Sequence, residues 1–181
     1  MTSQPPLIDP VVGEIFERNA KAVALRPGLG QGTAITRVRL KPGLECELED
    51  GRWKLTVGMG GKSGGSNAGP NPGVLGRGAL GTCIALGYAM WAARLNVPVT
   101  SLEVEVQADY DRRGELGVDP DIPPGYGQVR YVIRVDSPAS DEEVMRWIEI
   151  ADRCSAYRDV FARAHDVRRE VQIVRTPATA R

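Results

Sequence analysis

One histidine, three cysteines and no surplus of either charge deprive this 181-residue chain of the raw material for several kinds of function. His165 alone excludes multi-histidine metal centres, and a Cys3His zinc site would need all three scattered cysteines, Cys46, Cys83 and Cys154, to converge on it. No metal and no cofactor are therefore expected. A serine hydrolase triad would have to use the same histidine without a G-x-S-x-G elbow anywhere in the chain. Lys plus Arg and Asp plus Glu both number 23, so the net charge offers nothing to nucleic acid or to an anionic membrane. The longest uncharged run, residues 78–93 between Arg77 and Arg94, is 16 residues long. That is short of the ~20 a membrane span needs, and it reads as a buried helix. The first residues carry prolines and acids where an export signal would carry basic residues and an apolar run. With an odd, sparse cysteine set, this favours a reducing cytoplasm over a secreted disulfide framework.

What is present is an ordinary globular composition, 42% hydrophobic and 25% charged, in a mass of 19.6 kDa that suits one domain. Val11, Val12, Ile15, Phe16, Ala20, Val23 and Ala24 recur at helical spacing and predict an amphipathic helix over 11–25, closed by Arg26-Pro27-Gly28. From Thr33 to Val57 the period falls to two. Lys41-Pro42-Gly43 and Glu49-Asp50-Gly51 break that stretch into a three-stranded antiparallel meander. A Gly- and Pro-rich loop, 58–73, separates the meander from a helix expected over 72–95. Asn71 would cap that helix, and apolar or small residues on every face predict burial all round. Its glycines imply that another element packs closely against it. Two alternating segments, from Val99 and from Gly127, predict a long-looped hairpin. Ser140 and Glu143 have the capping-box form and open a further helix, and alternation over 167–174 predicts a closing strand.

Two tempting motifs fail on spacing. GGKSGG at 60–65 has Thr56 where a phosphate loop needs its first glycine, and no helix follows Lys62. DYDRRG at 109–114 begins like a calcium loop but puts Arg113 at a ligand position and Pro120 where the bidentate Glu belongs. Cys46 alternates with Leu44 and Leu48 and reads as a strand-face filler. Cys83, deep in the central helix, lies beyond the first turn where a helix dipole acts, and by composition alone it is a core position. Cys154, among Asp152, Arg153, Ser155 and Arg158, stands in wetter surroundings.

The order of parts carries a resemblance: meander, GPNPG, a central helix with GALGTCIALGYAM, LEVEVQADYD, then a helix with ADRCSAY and a closing strand. This arrangement resembles the OsmC family, which includes the organic hydroperoxide resistance proteins, over about 33–174. Residues 1–32 then form a helical extension and 175–181 a tail. The resemblance implies an α+β fold in which antiparallel sheets wrap buried central helices in an intertwined homodimer. It also implies a thiol-dependent peroxidase: Cys83 attacks an organic hydroperoxide, Cys154 resolves the sulfenic acid, and an external dithiol resets the pair. In the family pattern a Glu ten residues before the helix cysteine orients an Arg beside the thiolate. Here that position is Gly73. Arg37 and Arg39 lie near where the family places its Arg, with Arg52 and Arg153 as further choices. The alternative implied by Gly73 is a non-catalytic dimer that binds an apolar small molecule at its interface.

Overall fold

The longest element is fixed by its two ends. Asn71 accepts a hydrogen bond from Val74 N at 3.0 Å, Pro72 occupies the first turn, and Asn96 closes the helix in the left-handed region at φ 55°. In the computed structural model, which describes residues 7–174, helix α2 accordingly spans Pro72–Leu95. The first six residues of the expected extension and the tail expected at 175–181 lie outside the described residues. Helix α1, Val11–Leu25, crosses α2 where Gly13 is buried. A Cβ on Gly13 would stand 2.7 Å from the Ala93 carbonyl oxygen, so only glycine permits this approach. Phe16 meets the Trp91 ring at a tilt of 58° with centroids 5.1 Å apart, and Arg94 Nε donates to Glu17 at 2.6 Å.

Two antiparallel sheets follow from the alternating segments. Strands β1 (Arg37–Lys41), β2 (Glu45–Asp50) and β3 (Trp53–Gly58) form the meander, with Gly43 and Gly51 at positive φ in its turns. Strands β4 (Ser101–Tyr110) and β5 (Tyr126–Asp136) form the hairpin, and the short helix α3, Arg112–Glu115, lies in their connection. On one face of the hairpin Leu102, Val104, Val106, Tyr131 and Ile133 meet the core. The other face carries a charge ladder in which Arg134 pairs with Glu105 at 2.7 Å. Helix α4, Asp141–Arg153, opens with the expected capping box at Ser140 and Glu143, and α5, Ala156–Ala162, follows it directly.

The core is one stripe of α2, namely Leu80, Ile84, Tyr88 and Ala92, closed by Trp147 and Ala151 of α4 and by the hairpin. This corrects the expectation that α2 is buried all round. Leu86 is 66% exposed and Met90 41%, and a Cβ on Gly76, Gly78 or Gly87 would meet nothing within 4 Å. Gly81 does meet the hairpin, at Val106 Cγ2 3.2 Å away. The closing strand expected over 167–174 is also corrected. These residues form no ladder, and Val167 (90% exposed) and Ile173 (76%) face solvent. A strand's backbone groups need a neighbouring strand, and neither sheet of this chain offers one there. The meander packs broadly on none of the described helices. The chain accordingly exposes 14342 Å². A compact monomer of this mass exposes about 8,600 Å².

Candidate functional site

The site is built where the turn between α4 and α5 meets the middle of α2. Cys83 lies half-buried on α2 beside the core residue Ile84. The α4 helix ends at Arg153 because the chain turns at Cys154, whose N–H reaches back to the carbonyls of Ala151 and Asp152. Cys154 is exposed. The next residue, Ser155, is buried and caps α5, its Oγ accepting from Arg158 N at 3.4 Å. That same Oγ stands 3.9 Å from Cys83 Sγ, so residues far apart in sequence meet at one contact.

Beneath this contact lies a polar network that holds the turn. Tyr88 and Tyr131 both donate to Asp152 Oδ1, at 2.7 and 2.9 Å, and Arg158 Nε donates to the Tyr131 hydroxyl at 3.2 Å. Trp147 Nε1 donates to the Tyr88 carbonyl at 2.9 Å. Burial, and then the Asp152 carboxylate, push both phenols above the usual tyrosine range, while the bond to Tyr131 raises the Arg158 guanidinium further. The network thus ties α2, β5, α4 and α5 together through Asp152, one turn from the serine that faces Cys83.

Arg37, Arg39 and Arg52 belong to the meander, and Arg153 ends α4 next to the turn. Arg39 Nη1 donates to Glu49 at 2.6 Å on the meander, and Lys54 first, then Arg39, hold the Glu49 carboxyl at about 2. Arg37 is exposed on β1, Arg52 lies over the Trp53 ring at 4.7 Å, and Arg153 is exposed at the end of α4. Among the described residues no guanidinium hydrogen-bonds Cys83; its polar partner is Ser155. Gly73 lies about 15 Å along the helix from Cys83 by helical rise. A Cβ there would meet the Arg77 guanidinium at 3.3 Å and the Tyr126 hydroxyl at 3.4 Å. Those two side chains hydrogen-bond at 3.1 Å, and they share with Met59, Tyr110, Pro124 and Gly73 a cleft of about 460 Å³.

Ser155, Asp152, Tyr88 and Tyr131 were not legible as site residues. The one available signal is local: a serine directly before a helical run, which marks an N-cap but says nothing of what its hydroxyl faces. Among the described residues no cluster of three His, Cys, Asp or Glu side chains could hold a metal ion, and no helix is long and apolar enough to cross a membrane.

An α+β chain with a cysteine at mid-helix, facing the turn that carries a second cysteine, is the class of protein defined by this fold and site. A family model described as OsmC-like protein matches residues 64–169, and the chain belongs to the OsmC-like family. No curated protein matches it. Among solved structures, an OsmC-like protein from Mycoplasma pneumoniae is similar at TM-score 0.63 and 13% identity, covering 72% of this chain and 88% of that one. An OsmC-like hydroperoxide resistance protein from a Jannaschia species is similar at TM-score 0.50 and 20% identity, covering 78% and 92%. An organic hydroperoxide resistance protein from Elizabethkingia anophelis, with thiocyanate bound, is similar at TM-score 0.54 and 15% identity, covering 73% and 89%.

Proposed function

We propose that the protein is a thiol-dependent peroxidase that reduces organic hydroperoxides, with Cys83 as nucleophile and Cys154 as resolving thiol. The observation that carries this reading is the α4–α5 turn, which sets the residue after Cys154 at 3.9 Å from the Cys83 sulfur. The Cys83 thiolate attacks one peroxide oxygen, the O–O bond breaks, and the alkoxide leaves, taking a proton to become the alcohol. The sulfur keeps the other oxygen as a sulfenic acid. The Cys154 thiol attacks that sulfur, water departs and a disulfide forms. An external dithiol reduces the disulfide by exchange and is itself oxidised, which suits a reducing cytoplasm.

The working unit in this reading is a homodimer. Three features support it: surface far beyond that of a compact monomer, the open apolar face of α2 at Leu86 and Met90, and unpaired backbone over 167–174. Sedimentation should report about twice 19.6 kDa. A stable monomer at micromolar concentration would contradict the dimer.

The test of function is consumption of an organic hydroperoxide with a dithiol present, coupled to mapping after one stoichiometric dose of peroxide. The dose should yield a Cys83–Cys154 disulfide, and Cys154→Ser should instead accumulate sulfenic or sulfinic acid at Cys83. Cys154 must take the position that Ser155 holds, a local rearrangement of the turn. A protein that consumes no peroxide would favour the second reading, a non-catalytic dimer that binds an apolar small molecule. That reading is supported by Gly73, which opens onto the cleft walled by Met59, Tyr110 and Tyr126.

A further inference from the structure

The hydroxyl facing Cys83 belongs to the residue that caps α5. Ser155 is only 6% exposed, and its Oγ lies 3.9 Å from Cys83 Sγ. Its other partner, Arg158 N, is a donor, so it occupies a lone pair of Oγ and leaves the hydroxyl proton free to point at the sulfur. A half-buried thiol is disfavoured as a thiolate unless something compensates for lost water. A hydroxyl donating to a charged sulfur makes a charge-assisted bond, whereas a neutral thiol is a weak partner in either direction. The contact thus sets a buried hydroxyl, with its proton uncommitted, against the Cys83 sulfur.

We propose that Ser155 is the residue that stabilises the Cys83 thiolate, doing with a fixed hydroxyl what no guanidinium among the described residues is placed to do. The inference rests on Cys83 being the working thiol of the site. The charged and titratable groups at the junction are otherwise engaged or turned outward. Asp152 of α4 accepts from Tyr88 of α2 and Tyr131 of β5, and Arg158 of α5 donates to Tyr131. Arg153 and Cys154, at the end of α4, are exposed. When Cys154 displaces Ser155 to form the disulfide, the hydroxyl leaves the sulfur at the step where the sulfur no longer carries charge. The same turn thus presents a thiolate stabiliser before attack and a thiol after it.

The test is alkylation of Cys83 by iodoacetamide in the reduced full-length protein, in which the sulfur forms a C–S bond as iodide leaves. The reaction is followed at the Cys83 peptide across pH. Ser155→Ala and Ser155→Gly should both move the midpoint to higher pH and slow alkylation at neutral pH about tenfold, while Ser155→Thr stays within about twofold. Glycine serves at a helix N-cap nearly as well as serine, so the Gly variant keeps the start of α5 while lacking the hydroxyl. Profiles that overlay the unmodified protein in both variants would overturn the proposal. So would a shift confined to Ser155→Ala, which would report the lost cap. A protein that consumes no peroxide yet shows the Ser155-dependent profile would remove the peroxidase reading and keep this one. Peroxide turnover with a profile indifferent to Ser155 would do the reverse.

Discussion

Replacing Cys83 with serine should lower turnover of an organic hydroperoxide at least about a hundredfold, while Cys46→Ser leaves it within about twofold. The chemistry sets the first figure, because a serine hydroxyl is not ionised near neutral pH and its oxygen cannot cycle through a sulfenic acid. Packing sets the second. Cys46 sits half-buried on β2 opposite Leu40 of β1 and Val57 of β3, where its sulfur fills a strand face and meets no reacting group. Both variants should melt close to the unmodified protein, so that activity and folding separate. Equal losses of activity in the two variants would show that the effect lies in folding, and the assignment of Cys83 as nucleophile would fall.

The second large effect is expected in stability. Trp147 is fully buried, meets the Tyr88 ring edge-on at 5.8 Å and donates its indole N–H to the Tyr88 carbonyl at 2.9 Å. Trp147→Ala removes that ring from the only packed layer between α2 and α4 among the described residues, and should cost about 3–5 kcal/mol. Against a total of roughly 5–15 kcal/mol for a domain, that is a large share, and the melting temperature should fall by roughly 10 °C. Glu149→Ala, at an exposed position on the same helix, should change stability by less than about 0.5 kcal/mol. If thermal unfolding shows the two variants alike, the core is not where Trp147 places it. The tryptophan change should also disturb the site, because the Tyr88 it packs against is one of the two phenols holding Asp152 beneath the α4–α5 turn.

Much of this protein is written in short-range signals. Asn71 with Pro72 sets the start of α2, Ser140 with Glu143 sets the start of α4, and both caps act over three residues, so their positions are fixed before any tertiary contact forms. The alternation of β2 and β3 and the glycines at positive φ between strands are equally local. The order of these parts, with Cys83 in the long helix and Cys154 at the end of a later one, carries the family resemblance that the match over residues 64–169 establishes.

What local signals cannot decide is which surface meets which. An all-apolar helix announces burial but not by what: in this chain α2 is covered along Leu80, Ile84, Tyr88 and Ala92 and open along Leu86 and Met90. Alternation over 167–174 announces a strand, but a strand exists only where another edge accepts its hydrogen bonds, and among the described residues no edge does so. The serine before α5 announces a cap, and only the crossing of the α4–α5 turn over α2 brings its hydroxyl to a sulfur 72 positions away. Residue identity along the chain determined α1, α2, α4, the five strands and the candidate thiols. The tertiary packing decided that Ser155, rather than an arginine, stands beside Cys83, because contacts between distant segments depend on how whole faces dock and leave no period or spacing in the sequence.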